Sequence, residues 1–256
     1  MFAIVRTEFR KTRRSPIFLI TIIGVILMAA MLGLMMFIKK YPDLAHSSIL
    51  LSKATMMPGN ADWRTYFTFF SQMICGAGLL IFGFSASWLF GREYSDKTIK
   101  DLLALPLPRS SMVIGKFLVL LFWCVLLFVI GSLAALAAGH ILNLQGWSLE
   151  FGIHCLQLMF YATLMNVGLN MLTAFFACWT RGFLAPIGFV VLTLVLGNFI
   201  GMLGFASYYP WGIPMLFAMK GIEGNPLGAA SIAIIIATGC IGFVTTLLWW
   251  RFADQH

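Results

Sequence analysis

The chain has 256 residues, 61% of them hydrophobic and 10% charged, with a mean hydropathy of +0.93. Ordinary soluble domains carry about a quarter charged residues, so a soluble fold is excluded, and long continuous apolar runs exclude a β-barrel, whose strands alternate. The net charge of +8 flanks those runs, so the positive-inside rule explains it without a nucleic-acid partner.

Residues 1–14, MFAIVRTEFRKTRR, put Phe2, Val5 and Phe9 on one helical face and Arg6, Arg10 and Arg13 on another. That is the pattern of a helix lying in the headgroup plane; a basic tail that only fixes orientation is the plainer alternative. Ser15-Pro16 then turns the chain into the bilayer. Six runs are long enough to cross, since a spanning helix needs about 20 apolar residues. They lie near 17–38, 69–90, 113–138, 153–179, 183–206 and 228–250. Arg6, Arg10, Lys11, Arg13, Arg14, Arg92, Lys97, Lys100, Arg109, Lys116, Arg181 and Arg251 fall on one side, against Lys39, Lys40, Lys53, Arg64 and Lys220 on the other. The bias places both termini and the 90–116 segment in the cytoplasm.

That segment, FGREYSDKTIKDLLALPLPRSSMVIGK, is the densest patch of mixed charge in the chain. Its first half reads as a short amphipathic helix. Ser95 or Asp96 can cap its start, Glu93–Lys97 and Asp96–Lys100 stand at i,i+4 spacing, and Ile99, Leu102 and Leu103 share the opposite face. Pro106 and Pro108 end it, because proline lacks an amide donor and clashes with the preceding turn. A stiff helix between two spans suits docking of a soluble partner; a loop kept in water by its charges is the alternative. Farther on, SYYPWGIPMLFAMKGIEGNPL at 207–227 is neither a clean span nor a polar loop, and its apolar core is too short to cross. A re-entrant or interfacial piece is the expectation.

Catalytic patterns are missing. The chain has no GxxxxGK[ST] phosphate loop, no HExxH and no GxSxG, and no acidic or basic residue is expected at mid-depth of a span. This argues against ATP hydrolysis on this chain and against a proton-driven secondary transporter. Cys75, Cys124, Cys155, Cys178 and Cys240 form no CxxC and read as small buried apolar residues. Glu150 and His154, one turn apart, do not make a metal site. What stands out is a polar stripe. Thr163, Asn166, Asn170 and Thr173 recur along one face of the fourth span, with Asn198 in the fifth and Gln72 in the second as weaker candidates. An amide in hydrocarbon must find a partner, so the stripe either joins helices or lines a path for an amphiphilic substrate.

The basic first helix ending RRSP, and the stretch GREYSDKTIKDLLALPLPRSSMVIGKF after the second span, resemble the permeases of type-2 ABC transporters. YYPWGIP before the last span is similar to what bacitracin-resistance and lantibiotic-immunity permeases carry there. LPLPR departs from the pattern, since many members have a single proline before the arginine. The resemblance implies an all-α polytopic membrane protein of six spans, like a type V ABC exporter, in one permease domain over 1–256. Residues 1–16 would be an elbow helix, 91–112 a cytoplasmic coupling loop and 207–227 the outer re-entrant segment. Coupling to the ATPase would fall to Glu93, Thr98, Ile99, Leu102, Leu103 and Arg109. The chain would hold no cofactor; ATP and magnesium would bind two copies of a separate subunit, and a second permease would complete a homo- or heterodimer in the bacterial cytoplasmic membrane. The expected cargo is an amphiphile, a peptide antibiotic or a lipid-like molecule; sodium export is less favoured, and a non-transporting sensor or scaffold is the alternative from another class.

Overall fold

The structure, a computed structural model, describes residues 2–42, 57–99, 108–222 and 227–253. Among them all regular structure is helical, with one isolated bridge between Asp62 and Gln145. A short helix α1 (Phe2–Arg13) precedes α2 (Pro16–Lys40), α3 (Trp63–Ser95), α4 (Arg109–Ile141), α5 (Leu149–Trp179) and α6 (Leu184–Met202). A second short helix, α7 (Ile213–Ile222), leads into α8 (Ala229–Phe252). Among the described residues, the six helices α2 to α6 and α8 are each long and apolar enough to cross a membrane, which makes the chain a multi-pass membrane protein.

Local chemistry sets the helix ends. Ser15 accepts a hydrogen bond from the Ile17 amide with Pro16 at the first helical position, Asp62 accepts from Thr65, and Ser148 accepts from Phe151. Helices α3, α4 and α5 finish on a residue in the left-handed region that is not glycine: Lys97, Asn143 and Arg181. At α3 the Thr98 amide reaches back to the Glu93 carbonyl and the Lys97 amide to Tyr94, which closes the last turn.

The position of that turn moves the expected start of the amphipathic helix: Lys97 and Thr98 break the chain after α3, and Ile99 is the next helical residue. No new helix starts at Ser95 or Asp96; α3 runs on through Ser95 and Asp96 caps its C-terminus. The helix continues beyond the apolar run because Glu93 and Tyr94 are buried on it. Lys97 has left the helix, so it cannot stand one turn above Glu93. Leu102 and Leu103 lie outside the described residues.

Helix α5 is the hub of the bundle, packing against α3, α4, α6, α7 and α8. Its tightest neighbour is α8. A Cβ on Gly239 would come within 3.3 Å of the Gly168 carbonyl oxygen, and one on Gly242 would run into the Met171–Leu172 peptide. Small residues let the two backbones touch, which is how helices associate where lipid offers no hydrophobic drive. Midway along α3, residues Ile74–Gly78 form a π-helical turn. Beside it sits α7: Ala218 packs on Cys75 and Ala162, and the Cys75 thiol donates to the Pro214 carbonyl at 3.2 Å. Helices α2 and α6 are edge helices, with rows of exposed leucine, isoleucine and valine that suit contact with lipid.

Candidate functional site

At one end of the bundle α1, the end of α3 and the start of α4 meet around a buried ionic cluster. Gly115 of α4 gives α1 its seat, since a Cβ there would lie 2.9 Å from the Ile4 side chain. The Phe9 and Phe122 rings meet edge to face at 5.3 Å. These contacts lay α1 across α4 and turn Glu8 inward. The Lys116 ammonium, 1% exposed, has three protons and three acceptors: Glu93 Oε1 at 3.0 Å, Glu8 Oε2 at 3.3 Å and the Leu89 carbonyl at 3.0 Å. Lys11, half-buried at the rim, reaches Glu8 at 3.0 Å and Glu93 at 3.4 Å. Two ammoniums and two carboxylates thus balance in charge. Burial alone would raise the Glu8 carboxyl, but Lys116 and Lys11 outweigh it and hold it below its ordinary value.

The cluster lies at the helix ends, away from the mid-depth of the spans, but it buries charges that the sequence places at a loop edge. Lys116 lies two turns into α4 and Glu93 within the last turn of α3. Each is tolerated because its partner arrives from another helix. One atom remains unmatched: Glu93 Oε2 is buried without a hydrogen-bond partner.

The other residues expected to couple to a partner divide. Thr98 is exposed just beyond the turn. Ile99 is turned inward instead, 4% exposed in the same apolar cluster as Phe90, Tyr94, Val113, Phe117 and Trp250, so its apolar face is already used within the chain. Arg109 is exposed at the start of α4, and its guanidinium donates to the Trp250 carbonyl at 3.3 Å, near the open C-terminus of α8. The Trp250 indole in turn donates to Cys178 at the end of α5. Segments flanking the 96–108 connection are thereby tied to α1, α5 and α8 together.

The polar stripe also faces inward. Thr163, Asn166, Asn170 and Thr173 are all buried on α5. The Asn166 amide donates to the Ile74 carbonyl at 3.0 Å, at the start of the π turn in α3. A π turn displaces backbone carbonyls from their usual partners, and Asn166 meets that need. Asn170 donates to the Asn166 carbonyl at 2.9 Å, and the Thr173 hydroxyl to Asn170 Oδ1 at 3.1 Å. Of the two readings of the stripe, this geometry fits helix joining within the subunit. Thr163 Oγ1 and Asn166 Oδ1 are buried without a partner, and Thr163 borders a void of about 20 Å³ with Ile74 and Gly78. Asn198 stands apart, exposed on α6 and donating to its own Leu194 carbonyl. It borders a cleft of about 460 Å³ between α3, α6 and α7 with Cys75, Gly76, Trp211 and Met215. A wider apolar groove of about 830 Å³ runs between α5 and α8, past Leu164, Gly168, Ile235 and Cys240. Glu150 and His154 are exposed, and no metal-binding group of three ligands occurs among the described residues.

Comparison with known proteins adds two findings. The profile of the ABC-2 family transporter proteins matches residues 4–199, which takes in Glu8, Glu93, Lys116, the stripe on α5 and Asn198. The chain is also similar to the bacitracin transport permease protein BCRB of Bacillus licheniformis. They are 23% identical over 179 residues, covering 70% of this chain and 86% of that protein.

Proposed function

Because the chain belongs to the ABC-2 family of transporter proteins, we propose that it is the permease subunit of an ATP-driven exporter in a bacterial cytoplasmic membrane, with both termini cytoplasmic. The chain supplies the passage and a separate subunit supplies the motor. ATP and magnesium belong to that motor, two copies of which would serve a pair of permeases. The relative's name points to a peptide antibiotic as cargo, and an amphiphile suits a subunit whose flanking cleft and groove are apolar with a single amide at one edge.

The observation that carries this reading is the wiring at the end of α3. A motor closing on nucleotide needs something stiff to push, and differential contact in the two motor states is what shifts a conformational equilibrium. The 96–108 segment would be the contact, with Leu102, Leu103 and exposed Thr98 toward the motor. The Glu8–Lys11–Glu93–Lys116 cluster and the Arg109–Trp250 bond would pass its displacement to α1, α4 and α8. In this scheme Glu93, Ile99 and Arg109 act by holding the lever's root. Helix α1 is the elbow helix. Helix α7, whose Ala218 reaches the level of Ala162 near the middle of α5, is the re-entrant helix of a type V exporter.

The test is purification of the tagged full chain from mild detergent, followed by ATPase assay with bacitracin and other amphiphilic peptides. A co-purifying ATPase that peptides stimulate, and that Leu102→Asp leaves bound but unresponsive, supports the reading. A chain that captures no ATPase, or one whose Leu102→Asp variant responds normally, overturns it.

A further inference from the structure

The outward face of α1 carries a row of arginines. Arg6, Arg10 and Arg13 recur on it at helical spacing and Arg14 follows at the turn, all four exposed. Among the described residues none of the four has an ionic partner; the salt bridges there belong to Lys11 and Lys116. Both carboxylates near this helix, Glu8 and Glu93, are committed to the buried cluster. The inward side of α1 is therefore neutralised and the outward side is purely cationic.

What lies beside that face identifies its partner. Helix α1 crosses α4 at Gly115 and Phe122, and on α4 Leu118, Leu121 and Phe122 are exposed. The helix that α1 crosses thus presents hydrocarbon-compatible surface, and the ring contact between Phe9 and Phe122 links the two helices next to Arg10 in the chain. A water-soluble acidic protein would match the arginines but not the apolar surface of α4, which belongs to a helix that crosses the membrane. A phospholipid matches both, with its phosphate on the arginines and its chains along α4. Guanidinium suits phosphate because its planar donors can bind two oxygens at once.

We propose that the outer face of α1 is a binding surface for anionic phospholipid, holding headgroup phosphates on Arg6, Arg10 and Arg13 with acyl chains against Leu118 and Phe122. The ionic cluster fixes the height of α1 on α4, so the surface is preformed. The proposal concerns the chain alone and does not depend on transport.

The experiment measures lipid binding by the detergent-purified full chain without any partner. Fluorescent phosphatidylglycerol is displaced by unlabelled phosphatidylglycerol, by phosphatidylcholine, or by inorganic phosphate. Wild type should prefer phosphatidylglycerol over phosphatidylcholine by roughly tenfold or more, and free phosphate should not compete, since it has no chains to place. Arg6→Gln/Arg10→Gln/Arg13→Gln should erase the preference, Arg10→Gln should reduce it by a factor of about five, and Arg64→Gln at the opposite end should leave it intact. Thermal melting of each variant separates loss of lipid from loss of fold. Equal affinity for the two lipids, a triple variant that melts like wild type and keeps the preference, or an Arg64 variant that loses it overturns the proposal. So does displacement of the bound lipid by a purified ATP-binding subunit, which would assign the face to protein.

Discussion

Replacing Lys116 by methionine tests the ionic cluster directly. The ammonium stands 3.0 Å from Glu93 and 3.3 Å from Glu8, and at an effective dielectric of about 20 each attraction is about 5 kcal/mol before desolvation is subtracted. Methionine fills the volume but leaves two buried carboxylates facing Lys11 alone. Breaking a buried pair by removing one partner costs about 3–5 kcal/mol, because the surviving charge stays buried without compensation. Lys11 already sits 3.4 Å from Glu93, so the expectation lies near the lower figure, a fall in Tm on the order of 10 °C in detergent. Glu8→Gln added to Lys116→Met leaves one carboxylate and one ammonium in balance. The double variant should therefore melt above the Lys116→Met single, with a favourable coupling of about 1–3 kcal/mol. Differential scanning fluorimetry of the four proteins completes the cycle. If the two substitutions add, or if Lys116→Met melts like wild type, the cluster is not the unit described.

Three further perturbations have defined outcomes. Asn166→Leu removes the donor to the Ile74 carbonyl and should cost about 1 kcal/mol in melting, with faster amide exchange confined to the 74–78 turn; unchanged exchange there would refute the link. Gly242→Ala must displace the α5 backbone whereas Gly239→Ala meets Gly168 at 3.3 Å, so the first should destabilise by about 1–3 kcal/mol and the second by less, and the reverse order on thermal melting would contradict the packing of α5 on α8. The Glu8 carboxyl is held below its ordinary value of 4.5, so its contribution is present above that pH and is lost as pH falls through the folded value. Wild type should lose melting temperature below about pH 4.5 more steeply than Glu8→Gln, and identical acid limbs would sink the assignment.

The sequence made the spans legible because hydrophobic length is a local property. Expected runs at 17–38, 153–179 and 228–250 lie inside or within a residue or so of α2, α5 and α8. The second span is longer than its apolar stretch at 69–90: it begins at Trp63, where Asp62 caps it and Trp63 packs with Trp147 and Phe67. The stripe on α5 was visible as spacing, yet its partner was not. Nothing in ICGAG announces a π turn, and Asn166 meets Ile74 across 92 positions of sequence. The pairing of the charges is hidden for a related reason. Lys116 follows two prolines and reads as the edge of a loop, and Glu93 reads as the start of a new helix. Their pairing, with Glu8 108 positions upstream of Lys116, exists only once three helices are assembled. A buried ion is identified by its partners, and partners are tertiary information.

The separation of buried polar groups into two levels bears on where cargo could travel. The charges gather where α1 crosses the helix ends, and the amides gather at mid-bundle. That order follows from cost, since an ion is dearest at the centre of hydrocarbon and an amide can be matched by one freed carbonyl. The donors at both levels are used internally: Lys116 has all three protons placed, and Asn166, Asn170 and Thr173 donate to α3 or to one another. The void beside Thr163 is about 20 Å³, close to the room one water requires. A path through the middle of one bundle would have to dismantle the contacts that hold α5 to α3. The flanks carry no such penalty. The cleft by Asn198 and the groove by Gly168 and Cys240 are open, apolar and lined by helices with exposed faces. An amphiphile moving along this subunit would meet less resistance on its outside than through its middle.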